Sequence, residues 1–216
     1  MSLSFFNTLC KLKGKAVWED FESQALSDGF LCPVGIDEAG RGPLAGPVIA
    51  AAVYIPKSCL IEGIADSKEL TPKKRRAVYE MLLKSKEIDY GIGVSSPQLI
   101  DRINILQATF EAMKEAVRKL KHKPDFLLID GNLGPLIEIQ KKCIVKGDAR
   151  VRSIAAASII AKEYRDDLMT ELHLLYPQYN FAKHKGYPTK EHMTALKNYG
   201  PSEVHRRSFS PVKELI

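Results

Sequence analysis

The stretch Val34–Pro47 limits what this chain can fold into more than any other. An apolar run, Val34 to Ile36, closes on two adjacent acids, Asp37 and Glu38. A loop holding Gly40, Gly42 and Gly46 follows, and then a second apolar run from Val48 to Ile55. Carboxylates at the end of a buried strand are unfavourable unless a cation or a set of hydrogen bonds compensates them. The glycines allow positive φ and a close approach of backbone to a ligand, and Arg41 between two of them carries a fork that matches phosphate. On its own the stretch also fits a solvated strand end followed by a plain turn. It does not fit a dinucleotide loop, because Gly40-x-Gly42 is not completed to G-x-G-x-x-G and the acids would repel a pyrophosphate. No G-x-x-x-x-G-K-[ST] sequence occurs here, which excludes a P-loop.

The acids need partners, and the rest of the chain supplies them. With 216 residues and 45% hydrophobic residues the chain can bury a sizeable core. Its 32 Lys+Arg against 26 Asp+Glu give a formal charge of +6, which favours a polyanionic partner such as nucleic acid. Cys10, Cys32, Cys59 and Cys143 are scattered without a C-x-x-C pair, so a reducing compartment is expected rather than a zinc site or disulfide framework. No apolar run approaches membrane-spanning length. Met1 to Cys10 is too short and too weakly apolar for a secretory signal. A cytoplasmic protein without membrane contact is the expectation.

Three segments divide the chain. Residues 1–30 read as an extension with one helix, in which Trp18, Phe21, Ala25 and Leu26 fall at helical spacing and Gly29 is the stop. Residues 31–176 read as the main α/β domain, and residues 177–216 as a polar, basic, helical segment completing the substrate site. Within the main domain, 33–38 and 47–55 are strands joined too briefly for a crossover, so they pair antiparallel. Thr71-Pro72 opens a basic helix, and Ile88–Val94 alternates as a third strand. Ser96-Pro97 opens a helix in which Ile103, Leu106, Phe110, Met113, Val117 and Leu120 step by three and four. Asp125–Asp130 is a buried strand, and Cys143–Val145 is a short strand before Lys146-Gly147-Asp148. From Ile154 a long helix begins with small residues that let it lie close on a sheet. Lys190–Tyr199 is a last helix, stopped by Gly200-Pro201. This order of elements gives an α/β mixed sheet.

Three of the strands lead into acids, at Asp37-Glu38, at Asp130 and just before Asp148. Neighbouring strands would bring them together, where mutual repulsion raises their pKa values and destabilises the fold. Hard divalent cations reverse that argument, since Mg²⁺ and Mn²⁺ take carboxylate oxygens and water. Two such ions about 3.5–4 Å apart are the arrangement that serves phosphodiester cleavage.

The ordered motifs make the chain resemble bacterial ribonuclease HII, the type 2 ribonuclease H family. They are Gly35-Ile-Asp37-Glu38-Ala-Gly40-Arg41-Gly42-Pro-Leu-Ala-Gly46-Pro, Asp66-Ser67-Lys68, Asp130-Gly131 and Lys146-Gly147-Asp148. They continue with Ser153–Lys162, Arg165-Asp166, Lys183-His184-Lys185-Gly186-Tyr187-Pro-Thr189 and His205-Arg206-Arg207-Ser208-Phe209. The resemblance runs from about residue 30 to residue 210. It implies a ribonuclease H-like fold, a central five-stranded mixed β-sheet flanked by helices, with a small C-terminal helical part. It implies hydrolysis of RNA in RNA–DNA hybrids, and cleavage 5′ of single ribonucleotides embedded in duplex DNA, leaving 3′-hydroxyl and 5′-phosphate ends.

By motif position the resemblance makes Asp37, Glu38, Asp130 and Asp148 the catalytic acids and the ligands of two Mg²⁺ or Mn²⁺ ions. The Gly40-Arg41-Gly42 loop would sense the 2′-hydroxyl that separates RNA from DNA, and Tyr187 would pack on the sugar after the ribonucleotide. Lys68, Asn104, Lys162 and Arg165 would hold backbone phosphates, the last two lying three apart on one helical face. Outside that resemblance Tyr187 reads as a surface aromatic, Lys162 with Arg165 as a solvated face, and His184 as an idle surface group. His205 with Arg206 and Arg207 binds the duplex or caps the C-terminal segment. Glu203 departs from the proline common before the His-Arg pair, and residues 1–30 match least. Phe209–Ile216 shows no evident sliding-clamp peptide, and a monomer is the default. Two other classes stay open: a binding module of this fold without catalysis, and a resolvase- or integrase-type nuclease cutting all-DNA substrates, which the glycine loop should reject.

Overall fold

A computed structural model of the chain describes residues 18–59, 64 and 70–216. The two apolar runs flanking the glycine loop become β1 (Pro33–Ala39) and β2 (Val48–Tyr54), paired antiparallel with Asp37 opposite Ala51. β3 (Asp89–Ser95) continues the antiparallel side, while β4 (Phe126–Asp130) and β5 (Gln140–Ile144) add in parallel to β1. The order across the sheet is β3-β2-β1-β4-β5. This is the expected five-stranded mixed sheet. Its edge strand β5 starts at Gln140, before the expected Cys143, because Lys141 and Lys142 are exposed there and carry no hydrophobic signal.

Six helices among the described residues flank the sheet: α1 (Phe21–Ser27), α2 (Pro72–Lys84), α3 (Pro97–Arg118), α4 (Arg152–Leu175), α5 (Phe181–His184) and α6 (Lys190–Tyr199). Thr71, Ser96 and Thr189 cap α2, α3 and α6, their hydroxyls accepting from the backbone three residues on. Asp20 caps α1, so Trp18 precedes the helix it was expected to join. Helix α3 is broken at Asn104, whose φ of 67° interrupts the spiral while its Oδ1 accepts from the N–H groups of Leu106 and Gln107. Asn104 thus recaps the second half of the helix.

Side chains alternate across the sheet with period two, which sets what each face can pack. Val34, Ile36, Ala50, Ala52, Leu127 and Ile129 meet Ala112, Met113, Ala116 and Val117 of α3. On the other face Ile49, Ala51 and Val53 meet α2 and the alanine-rich start of α4. Gly35 lies under α4 so closely that a Cβ there would sit 2.3 Å from the Ser153 carbonyl carbon. Gly91 and Gly93 give α3 the same close approach, with carbonyls of Ala116 and Ala112 within 2.0 Å of a hypothetical Cβ. Past α4 the chain forms a third cluster, in which Leu44 and Ala45 pack with Met169, Tyr179, Phe181 and Leu196. No helix among the described residues is long and apolar enough to cross a membrane.

The Gly35 contact carries a direct consequence. Gly35→Ala is expected to destabilise the protein by about 1–3 kcal/mol through overpacking against the α4 backbone. A lower urea midpoint with an unchanged m-value would report it.

Candidate active site

Parallel pairing of β1 with β4 ends at Ile36 and Ile129, so the next residues, Asp37 within β1 and Asp130 at the end of β4, lie side by side. β5 ends one strand further at Ile144, and Lys146, with φ of 56°, turns the chain into the short 3₁₀ turn Gly147–Ala149 that carries Asp148. The Gly147 N–H donates to Asp130 Oδ1 at 2.7 Å, tying that turn to the end of β4. The carboxyl ends of three parallel strands therefore open into one cleft, where ligands of open α/β sheets commonly bind. Asp37, Glu38, Asp130 and Asp148 all line it, with Gly40, Arg75, Ser158, Lys162 and Tyr187 around them. Its volume, about 340 Å³, is roughly that of ten liquid waters, enough for hydrated ions and a phosphate group.

Asp37 and Asp148 are almost fully buried, at 4% and 3% exposure. Burial first, and then the charges of Glu38 and Asp130, push the Asp37 carboxyl well above its ordinary value. Burial likewise raises Glu38, against the opposing pull of Arg41, whose Nη1 donates to Glu38 Oε1 at 3.1 Å. Among the described residues no three His, Cys, Asp or Glu side chains already converge tightly enough to chelate an ion. The fit to a metal is chemical: the donors are carboxylate oxygens, their crowding opposes ionisation, and hard divalent cations take that donor set.

The loop beside the acids is held from beneath by two buried guanidinium groups. Arg206, fully buried, donates to the carbonyls of Gly40, Arg41 and Gly46 at 2.5, 2.9 and 3.0 Å. Arg165, 1% exposed, donates to those of Ala45, Pro47 and Lys185 at 3.0–3.1 Å. Burial pushes Arg165 down to about 10 and Arg206 down to about 9, so both keep their charge at neutral pH. Arg165 borders the same cleft as Lys162, but it does not share with it the solvated face that their spacing suggests. Its side chain turns under the loop, and its forks are committed to carbonyls. The surroundings of Gly40 show why it is glycine: φ is +95° and a Cβ would lie 2.0 Å from Arg165 Nε.

Lys162 stays at the cleft, one-third exposed, with Nζ 2.6 Å from Asp166 Oδ1. Tyr187 is 45% exposed, and a Cβ on Gly42 would meet its ring at 3.7 Å, so ring and loop face the same space. Asn104 lies elsewhere, in a shallow depression beside Ser208 and Phe209, where it serves its own helix. Lys68, with Asp66 and Ser67, lies outside the described residues. His184 is not the idle surface group expected from its flanking lysines: it is 8% exposed and bonds the Tyr179 carbonyl at 2.6 Å. His205, 1% exposed, joins the C-terminal core, which decides between the two readings left open for it.

Two cleft residues were missed from sequence. Ser158, in the small-residue half of α4, bonds Asp37. Arg75 of α2 reaches the cleft edge with Nε 2.6 Å from Glu163 Oε1. Neither stands out, because serine in a small-residue run and arginine in a basic helix are the commonest solutions at those places.

Two measurements follow from this geometry. The folded state binds the Asp37 proton more tightly than the unfolded chain, whose ordinary value is 3.8. With divalent ions chelated, stability should therefore fall as pH rises from about 4 through the raised folded value. Asp37→Asn should flatten that slope in urea titrations run from pH 4 to 8. Arg165→Met leaves three buried carbonyls without donors. It should cost about 3 kcal/mol or more of stability, whereas Lys162→Ala, breaking a partly exposed pair, should cost less than about 1 kcal/mol.

Comparison with known proteins agrees with the fold. The family model for Ribonuclease HII matches residues 34–212. Ribonuclease HII of Chlamydia trachomatis serovar L2 is 58% identical over 196 residues, covering 91% of this chain and 90% of that protein. The crystal structure of ribonuclease H2 from Pyrococcus horikoshii OT3 superposes with a TM-score of 0.69 at 27% identity, covering 86% of this chain and 97% of that one. A Bst-RNase HIII structure in complex with Mn²⁺ shares the fold at 18% identity and a TM-score of 0.66, covering 94% and 75% of the two chains. A family match over most of the chain and close curated relatives, on a five-stranded sheet with acids at its parallel strand ends, lead to one conclusion: the chain belongs to the ribonuclease HII family of endoribonucleases.

Proposed function

We propose that this ribonuclease HII chain hydrolyses the RNA strand of RNA–DNA hybrids and cuts on the 5′ side of single ribonucleotides embedded in duplex DNA, leaving 3′-hydroxyl and 5′-phosphate ends. The observation that carries the proposal is the shared cleft: Asp37 and Asp130 lie side by side on adjacent strands, with Glu38 and Asp148 beside them and the glycine loop and Tyr187 on its rim. Asp37, Glu38, Asp130 and Asp148 would hold two Mg²⁺ or Mn²⁺ ions. When bound, such ions activate an attacking water and stabilise the leaving 3′ oxygen.

The chain's own groups supply positioning. Gly40 and Gly42 have no side chain to keep a ribose from the backbone, so the loop can test for a 2′-hydroxyl by contact and hydrogen bonding. The half-exposed Tyr187 ring beside Gly42 offers a flat surface for the following sugar. With the 2′-hydroxyl of a ribose at the glycine loop and the next sugar, a deoxyribose, on the Tyr187 ring, the site would read RNA-to-DNA junctions. Lys162 at the cleft is placed to steady a backbone phosphate once the phosphate competes with Asp166 for its ammonium. Residues 177–216 complete the substrate site because they bring Tyr187 to it.

The test is a duplex carrying one ribonucleotide, its all-DNA twin and a long hybrid, each with Mg²⁺, Mn²⁺ and chelator. Cleavage of the first and third only, abolished by chelator, is the expected result. Cleavage of the all-DNA duplex would overturn the proposal. Asp37→Asn and Asp130→Asn should each lower kcat by about 10³-fold, the scale of several kcal/mol of lost charge stabilisation, with circular dichroism unchanged. Tyr187→Ala should depress cleavage at the embedded ribonucleotide more than cleavage of the long hybrid, and equal loss on both would remove Tyr187 from junction reading.

A further inference from the structure

Beneath Tyr187 lie three histidines, His184, His192 and His205, exposed by only 8%, 0% and 1%. The rings of His184 and His192 stack with centroids 4.5 Å apart, and Phe181 and Tyr179 close around them. Such burial of three ionisable rings is unfavourable unless each hydrogen-bonding nitrogen is matched.

The backbone determines how they are matched. The Ser202 N–H can only donate, and it lies 2.9 Å from His205 Nδ1, so that nitrogen accepts. The His205 proton therefore sits on Nε2, which donates to His192 Nε2 at 3.0 Å. His192 must then carry its own proton on Nδ1, which donates to the Tyr187 carbonyl at 2.9 Å. By the same reasoning His184 Nδ1 accepts from the Gly186 N–H at 3.2 Å and its Nε2–H donates to the Tyr179 carbonyl at 2.6 Å. All three rings are neutral, and each has one tautomer. Burial, first among the causes, pushes His192 down to about 4 and His205 down to about 3, in keeping with neutral rings.

The bonds of this relay end on the turn that carries Tyr187. Its carbonyl accepts from both His192 and the Thr189 N–H, its own N–H donates to the His184 carbonyl, and the Gly186 carbonyl accepts from the Leu44 N–H in the glycine loop. Lys185 enters the turn at a φ of 53°, a left-handed conformation that costs a residue with a side chain and needs outside support, and Gly186 follows at 84°, which glycine adopts freely.

We propose that His192, with its tautomer set by His205, is a positioning residue that holds the Tyr187 turn against the Gly40–Gly46 loop and so determines selectivity for embedded ribonucleotides. This rests on the junction-reading role of Tyr187 proposed above. The experiment measures kcat and KM on the single-ribonucleotide duplex and the long hybrid for wild type, His192→Phe, His192→Asn, Tyr187→Ala and the Phe/Ala double variant, with urea midpoints for each.

His192→Phe, which keeps a ring but loses the donor, should lower kcat on the embedded ribonucleotide about tenfold more than on the hybrid, the scale of one lost hydrogen bond. His192→Asn, whose amide can replace the Nδ1 donor, should restore most of the ratio. In the Tyr187→Ala background, His192→Phe should change the ratio less than about twofold, because coupled residues are not additive. Equal loss on both substrates, or full additivity with Tyr187→Ala, would reduce the relay to general stability and overturn the proposal. A Tyr187→Ala ratio equal to wild type would overturn the junction-reading role first, and with it the relay's output. If His192→Phe fails to fold, His205→Leu, which removes the bond fixing the His192 tautomer, is judged by the same ratio and the same additivity.

Discussion

The grip of two buried arginines on the backbone of residues 40–47 is the interaction on which the site depends. A loop of glycines and prolines has no side chains of its own with which to hold a shape, and its conformational entropy opposes any single one. Arg165 reaches it from α4 and Arg206 from the C-terminal segment, and together they satisfy five of its carbonyls, with a sixth bond to Lys185. A guanidinium suits this task because its planar fork donates in several fixed directions while retaining its charge when buried. The carbonyl dipoles compensate that charge, so no carboxylate partner is needed beneath a site that already has four.

The sheet solves the opposite problem, bringing like charges together. Adjacent parallel strands place successive acids at the same edge without any turn between them, and the backbone absorbs part of the repulsion. Asp37 accepts from the Glu38 N–H at 2.7 Å, and Asp130 accepts from the Gly147 N–H at 2.7 Å. The alanine- and serine-rich start of α4 lies close enough for Ser158 to join Asp37. Larger side chains there would lift the helix off the sheet, so the close packing that forms the core also furnishes the acid cleft.

Much of this could be read along the chain. The strands around Asp37 are written in apolar runs, Lys190–Tyr199 is bracketed by Thr189 and Gly200, and the period from Leu106 to Val117 falls in α3, with Ile103 before its break and Leu120 past its end. Other features were hidden for identifiable reasons. Arg165 and Lys162 are three apart on α4, a spacing that predicts a shared face, yet a neighbouring loop drew one of them inward. His184 sits between two lysines, and local polarity argues for exposure, whereas His192 of α6 stacks on its ring and Phe181 of its own short helix packs edge-on to it. Asn104, which the resemblance makes a phosphate contact, accepts from two backbone donors at the break in α3, a role that no local pattern announces.

By itself the sequence determined the chemistry available: carboxylates at strand ends, glycines where backbone must be bare, and a basic chain suited to a polyanion. These follow from residue type and short-range periodicity, which do not change with context. Tertiary structure decided which polar groups face substrate and which hold the scaffold. That choice depends on desolvation and on hydrogen-bond partners distant in the chain, as with Arg206 and the carbonyl of Gly40, 166 positions apart. Local sequence carries no record of such partners, and only the packed fold brings them within reach.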